Sequence, residues 1–237
     1  MSGVEAMFKY EIHLHSHHCS ACGVSSNEEM IKAAKETGYT GVVFTNHFFR
    51  GNTGVDRKLP WKDFVKAYKE DFEEVKNLGE KYDIDVFFGI EEVYESGKEC
   101  LLYGITPELL ENNPDFIKMG IKEIYELVSK NGGFVAAAHP FRNRFYIPNP
   151  DKEPDIRYFD AFEVHNYFNT DEDNEKAQNF VNKNSLQAIS GGDIHRALDF
   201  GKSGLAFYER LYTTENFIKA LKEKRYKLII NGEINDI

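Results

Sequence analysis

Six short apolar runs in this chain end in, or just ahead of, an imidazole or a carboxylate, and that recurrence restricts the fold more than any composition value does. The runs are KYEIHLH, GVVFTNH, DVFFGIEE, GFVAAAHP, FDAFEVHN and LQAISGGDIH, and they carry His13, His15, His47, Glu91, His139, Glu163, His165, Asp193 and His195. Short apolar runs bounded by turn-forming residues read as buried strands. Metal-binding side chains so far apart in sequence meet only if the strand ends share one rim, as in a barrel or an open parallel sheet.

Between these runs the periodicity switches to that of helices. Ser26 followed by Glu29 forms a capping box, Met30, Ala33 and Ala34 supply an inward face, and Gly38 stops the helix. Pro60 precedes a long helix in which Trp61, Phe64, Val65, Tyr68, Phe72 and Val75 recur at three- and four-residue spacing. Further strands are expected at 84–90, 101–105, 134–138, 160–164, 186–190, 204–209 and 226–230, with helices near 114–130, 172–183 and 214–223. Seven or eight such units in one domain over 1–237 point to a β/α barrel. A dinucleotide-binding sheet lacks its fingerprint, because the first strand leads into HSHHCSACG and not into a glycine-rich turn. The segment 142–158 is expected to be a rim loop.

A net charge of −10 offers no general attraction for nucleic acid or anionic lipid, although two or three divalent ions would make a cleft locally positive. No apolar run reaches the roughly 18 to 20 residues needed to span a bilayer, and MSGVEAMFKYEIHLH has no signal-peptide core, so a cytoplasmic protein is expected. Three cysteines without a disulfide framework suit a reducing compartment. Cys19 and Cys22 form a C-x-x-C amid histidines and not at a helix start, which leaves redox chemistry, metal contact by one thiol and inert thiols as open readings.

His13 and His15 alternate with Ile12 and Leu14, so both imidazoles leave one face of a strand and can share one ion. Asp193 and His195 repeat this geometry, and the glycines ahead of them let the backbone approach closely. Glu91 ends an apolar run and is suited to bridge two cations, whereas Glu92 points the other way if the strand continues. His47 and His139 each lie just past a strand.

HLHSH, TNH, GIEE, AHP and GGDIH, in that order over nearly the whole chain, resemble the polymerase and histidinol phosphatase (PHP) domain family. The resemblance implies a distorted seven-stranded TIM-like β/α barrel with two or three metals at the carboxyl rim, zinc, manganese or iron, and hydrolysis of phosphate esters. It further implies that His13, His15, Glu91 and Asp193 form a first metal site, that Glu91 and His139 serve a second, and that His47 and His195 belong to a third. This chain departs from the family at two ligand positions. Cys22, His17 or His18 fills one, and Glu99 or Cys100, the thiol being the candidate ligand, stands near the other. Glu163 and His165 fall in a run with a pocket role, His165 being a further candidate ligand.

Arg142, Arg144 and Arg196 closely follow His139 and His195 and are candidates to clamp a phosphate, with Arg50 or Arg57 as replacements. The expected reaction is hydrolysis of a small phosphate monoester, of histidinol phosphate or nucleoside monophosphate type, by a metal-bridging hydroxide, with Asp193 or His195 relaying a proton to the leaving group. A phosphodiesterase or exonuclease on short nucleic acids, and a noncatalytic metal-dependent binding protein, are the alternatives. No long basic aromatic stripe is present to hold a strand, so no stable nucleic-acid partner is expected.

Overall fold

The structure, a computed structural model, describes residues 7–236. Its strands are β1 (Phe8–Leu14), β2 (Gly41–His47), β3 (Asp85–Glu95), β4 (Lys98–Tyr103), β5 (Phe134–Ala138), β6 (Ala161–Asn166), β7 (Ala188–Gly191), β8 (Ser203–Phe207), β9 (Tyr226–Ile230) and β10 (Glu233–Asn235). The helices are α1 (Asn27–Glu36), α2 (Trp61–Tyr82), α3 (Pro107–Glu111), α4 (Ile121–Lys130), α5 (Asp171–Asn184) and α6 (Thr214–Lys222). Each apolar run of the sequence forms a strand. The stretch read as one helix near 114–130 is a tight 3-10 turn at Pro114–Lys118 followed by α4.

All ten strands join one sheet in the order β10-β9-β8-β1-β2-β3-β4-β5-β6-β7. β1, β2 and β3 run parallel, as do β5, β6 and β7, and β4 runs antiparallel to both of its neighbours. The sheet curls. Ile194, just beyond β7, bridges in parallel to Leu14, with His15 N donating to Ile194 O at 2.9 Å and Ile194 N donating to His13 O at 3.0 Å. The lower part of the same edge of β1 is taken by β8, antiparallel at Phe8–Tyr10. The result is a distorted, barrel-like arrangement. Its ten strands exceed the seven expected because β8, β9 and β10 extend the sheet past β1 as antiparallel strands.

Local chemistry explains the borders. Ser26 accepts a hydrogen bond from Glu29 N, and the Glu29 carboxylate accepts one from Ser26 N at 2.7 Å, which is the capping box read from the sequence. The long helix α2 turns Phe64, Val65, Tyr68 and Val75 inward. Among the described residues, no helix is long and apolar enough to cross a membrane.

Phe48 ties the rim to this core. It follows His47 directly, is fully buried, and packs edge-on against Trp61, Phe64, Tyr68 and Phe116 with ring centroids 5.8, 5.3, 5.0 and 5.6 Å away. Phe48→Ala is expected to lower unfolding stability by about 3–5 kcal/mol, read from urea denaturation. A loss below about 1 kcal/mol would mean that this aromatic cluster does not hold the end of β2.

Candidate metal centre

Strand direction decides which side chains meet. The parallel strands all end at one rim, and they bring His13 and His15 from β1, His47 from β2, Glu91 from β3, His139 just after β5, Glu163 from β6, and Asp193 and His195 just after β7. β4 runs the other way, so its first residues lie at that rim. Glu99 therefore points into the cluster, with Oε1 3.3 Å from His47 Nδ1 and Oε2 3.5 Å from His139 Nε2. Cys100, next along β4, faces the opposite side, its buried thiol donating to Glu92 O at 3.4 Å. The same alternation on β3 separates Glu91 from Glu92, which pairs with Arg50 Nε at 3.1 Å.

The backbone bends to make room. His139 and Asp193 adopt positive φ values of 29° and 54°, a region that side-chain-bearing residues seldom occupy and that recurs at functional sites. A Cβ on Gly191 would lie 2.3 Å from Glu163 Oε1 and 2.7 Å from His13 Cβ, so only glycine lets β7 pass this close.

Glu91 is the centre of the cluster. One of its oxygens faces His13 Nε2 at 3.2 Å and His139 Nε2 at 2.9 Å, and the other faces His15 Nε2 at 3.4 Å and His47 Nδ1 at 2.9 Å. Asp193 Oδ1 lies 3.0 Å from His15 Nε2, 3.6 Å from His13 Nε2 and 3.7 Å from His195 Nε2. At the rim, three sets of ligand atoms are close enough to share an ion: His13, His15, Glu91 and Asp193; His47, Glu91 and Glu99; and His15, His47 and His195; His139 falls in none of them, although its Nε2 lies 2.9 Å from Glu91 Oε1. Four of these atoms, His13 Nε2, His15 Nε2, His47 Nδ1 and Glu91 Oε2, are buried and have no hydrogen-bond partner. Unpartnered buried acceptors are costly, and a shared cation removes the deficit at all four, so the donor set fits divalent metal.

Outer hydrogen bonds set the tautomers. His13 Nδ1 lies 3.0 Å from Glu163 Oε1, and because a carboxylate can only accept, the ring proton belongs on Nδ1 and the Nε2 lone pair faces the cluster. For His15 the orientation comes from a chain. Asn46 Nδ2 donates to Asp71 Oδ2 at 3.0 Å, and Ser20 Oγ donates to Asn46 Oδ1 at 3.0 Å. With its proton committed, Ser20 Oγ accepts from His15 Nδ1 at 3.2 Å, again leaving Nε2 free.

The local charges follow from these contacts. Burial opposes a charged His13, but Glu163, Glu91 and Asp193 hold its pKa well above the ordinary imidazole range, so an ion binding at Nε2 would displace a proton there while the Nδ1 proton stays directed at Glu163. His15 falls to about 3 through burial and the proximity of His47, so it stays neutral as a ligand must. Burial raises Glu91, yet His13 and His47 draw it well below the carboxylate range. Burial also raises Cys22, whose Sγ is 3.1 Å from His195 Nε2, but contact with His195 and His47 brings that thiol down to about 6.

A cavity of about 520 Å³ opens onto the cluster, lined in part by Cys22, His47, Glu99, Arg142, Asp193 and His195. Arg142 is buried against Asp193, with a guanidinium nitrogen 2.6 Å from Asp193 Oδ2 and 2.9 Å from Asn166 Oδ1. Arg50 and Tyr146 also line this cavity, whereas Arg144 and Arg196 do not. Arg144 donates to Phe168 O, and Arg196 pairs with Asp199. Arg57 is spent on the carbonyls of Phe49 and Gly51. His17 is exposed beside Gly23 O, and His18 faces Asp71 and Glu74 outside the cluster. His165 is buried with Nδ1 3.4 Å from Asn174 Nδ2 and belongs to none of the three ligand sets. Of Glu99 and Cys100, which the sequence places near one ligand position of the rim, Cys100 is the one it names as a candidate ligand, yet the reversed direction of β4 turns Glu99 into the cluster and Cys100 away from it.

Residues 11–178 match the PHP domain. Comparison with curated proteins gives no match. Among solved structures, a two-domain protein from Bacteroides vulgatus ATCC 8482, described as containing a predicted PHP-like metal-dependent phosphoesterase, aligns at a TM-score of 0.68 and 16% identity. That alignment covers 97% of this chain and 66% of the other, so the chain spans about two thirds of its length. PsfC from Pseudomonas syringae PB-5123 aligns at 0.59 and 14% identity over 90% of this chain and 88% of its own. An amidohydrolase from Chromobacterium violaceum, with bound sulfate and no metal, aligns at 0.55 and 15% identity over 95% and 98%. Such identities establish a shared fold, and the domain match establishes kinship: the chain belongs to the PHP domain family of metal-dependent phosphoesterases, with the metal-binding active site of that fold at its rim.

Proposed function

We propose that the protein hydrolyses a small phosphate monoester, of the histidinol phosphate or nucleoside monophosphate type, with two or three divalent ions at the rim of a single domain whose barrel is β1 to β7. The observation that carries this reading is a cluster of four unpartnered buried ligand atoms, reached through His47, Glu99, Asp193 and His195 from a cavity of about 520 Å³ that Arg142 also lines. That volume is within the ordinary range for small-molecule sites. The formal charge of −10 and the lack of a basic aromatic groove favour such a substrate over a nucleic-acid strand. Cys19, Cys22 and Cys100 are free thiols, which supports a reducing, cytoplasmic setting.

In this proposal His13, His15, Glu91 and Asp193 hold the first ion. Glu91, His139 and Glu99 would hold a second. His47 and His195 hold a third, and Cys22 supplies a thiolate beside them, which favours zinc there while imidazole and carboxylate sites also accept manganese or iron. Bound divalent ions supply a water of lowered pKa and neutralise phosphoryl oxygens. The chain's own residues orient the reaction. Arg142, fixed by Asp193, Asn166 and Asn169, presents a guanidinium to the phosphate. Asp193 has one oxygen on Arg142 and the other facing imidazoles, so it orients groups and does not carry a proton. His195 has a side chain 20% exposed at the cavity and hands a proton to the leaving oxygen when two ions are bound.

Phosphate release from a monoester panel with added zinc or manganese tests the activity. Release is expected from the parent protein and not from His13→Ala/Asp193→Ala. Equal release from both would show that the rim does not catalyse it, and no release from any ester would favour a binding protein. Glu163→Gln is expected to weaken zinc binding about 10–100-fold, measured by competition with a chelator, because it loosens His13 without removing a ligand. Unchanged affinity would show that Glu163 does not orient that ring.

Cys22 gives a pH-dependent test. In chelator-treated protein its alkylation should rise with pH through a midpoint near 6, because the thiolate forms above the lowered pKa, and zinc should block the reaction. Cys19 and Cys100 should stay unreactive, since burial pushes both thiols up. Alkylation that begins only above pH 8, or that zinc does not slow, would contradict the thiolate assignment.

A further inference from the structure

Outside the rim, a second group of ligand atoms meets on the outer side of the fold. His18 comes from the loop after β1, and Asp71 and Glu74, three residues apart, project from one face of α2. His18 Nδ1 lies 3.3 Å from Asp71 Oδ1 and 3.3 Å from Glu74 Oε2, and all three atoms fall within 4.8 Å of one another. We propose that His18, Asp71 and Glu74 form a peripheral divalent-cation site of the zinc class, coupled to the rim through Asp71, Asn46 and Ser20.

The distances fit a shared ion. Charge-assisted hydrogen bonds between imidazolium and carboxylate run at about 2.7–2.9 Å, whereas a tetrahedral ion with bonds near 2.0–2.2 Å separates its ligand atoms by about 3.3–3.5 Å. Neither approach of His18 makes a hydrogen bond, as at the rim, where His13 Nε2 and His15 Nε2 face carboxylates at 3.0 to 3.6 Å without making one. Asp71 is nearly buried and is held by Asn27 Nδ2 at 2.9 Å, Ser16 Oγ at 2.7 Å and Asn46 Nδ2 at 3.0 Å, the outer support expected of a ligating carboxylate. On the amide that holds Asp71 Oδ1, Asn27 Oδ1 is buried and has no hydrogen-bond partner. His18 and Glu74 are about half exposed, which leaves the remaining coordination positions to water and opens a path of entry.

The same Asp71 reaches the rim. Its Oδ2 accepts from Asn46, Asn46 Oδ1 accepts from Ser20, and Ser20 Oγ accepts from His15 Nδ1. An ion on Oδ1 pins the Asp71 carboxylate and with it the chain that turns His15 toward the cluster. The site does not depend on the rim reaction; only the coupling rests on the rim holding metal as proposed above. Coupling of this kind is reciprocal, so each ion strengthens the binding of the other.

The test uses zinc alone on the full chain. With the rim saturated, anomalous diffraction at the zinc edge should place an ion among His18, Asp71 and Glu74. His18→Ala and Glu74→Gln, both at half-exposed positions, should each bind one equivalent fewer by metal analysis after equilibrium dialysis. In the same variants the rim affinity for zinc should fall about 5-fold or more. An empty peripheral position with a full rim would overturn the site and leave the phosphoesterase reading intact. A filled peripheral position with unchanged rim affinity in both variants would overturn the coupling.

Discussion

A carboxylate buried as completely as Glu91 is unfavourable by several kcal/mol if it stands alone, and the rim is organised around removing that deficit. His13, His15, His47 and His139 approach its two oxygens at 2.9 to 3.4 Å from three different strands. Imidazoles packed this closely repel one another once charged, which is visible in the neutral state forced on His15 by burial and by His47. Charged His13 and His47 offset the Glu91 carboxylate, a role that divalent ions held between the carboxylates and neutral imidazoles would take over. Convergence on Glu91 therefore explains why the rim where β1, β2 and β3 lie side by side fits metal.

Holding those side chains in place requires a second ring of contacts that the ligands alone do not reveal. Glu163 orients His13 through Nδ1 and also accepts from His139 N at 2.8 Å, so one carboxylate fixes two neighbouring positions. Glu11, fully buried below the rim, accepts from Ile12 N, His13 N and Gly192 N and from Ser203 Oγ, joining β1 to the end of β7 and to β8. Burial pushes its pKa up to about 7, and the hydrogen bonds from His13 and Gly192 pull against that rise. The pairing of Leu14 with Ile194 in the same place brings Asp193 and His195 beside His15.

Much of this was legible in the sequence, and the limit has a physical cause. The alternation His13-Leu14-His15 is readable because side chains on an extended backbone change sides every residue, whereas Asp193 and His195 reach the rim past the end of β7 with Asp193 at a positive φ of 54°. The Ser26 and Glu29 cap is equally local. Strand direction is not local, and nothing in KECLLYG states that β4 runs against its neighbours. For that reason the sequence points to Cys100 as the candidate ligand, and only the ladder with β5 shows that Glu99 is the one facing the rim. The arginines illustrate the same limit, since closeness in sequence to His139 and His195 brought Arg142 to the cavity but left Arg144 and Arg196 engaged with Phe168 and Asp199.

His18 shows how far chain direction can separate neighbours. It is three residues from His15, yet the turn after β1 carries it to the outer side of the fold against α2, while Cys22, four residues further on, returns to touch His195. The segment from His15 to Cys22 thus crosses from the rim to the surface and back, fixed midway by Ser16 and Ser20 on Asn46. Because Asn46 in turn depends on Asp71, the position of α2 is linked to the orientation of a rim imidazole. A helix that first reads as packing for the barrel wall is, through one buried aspartate, part of what aims the metal centre.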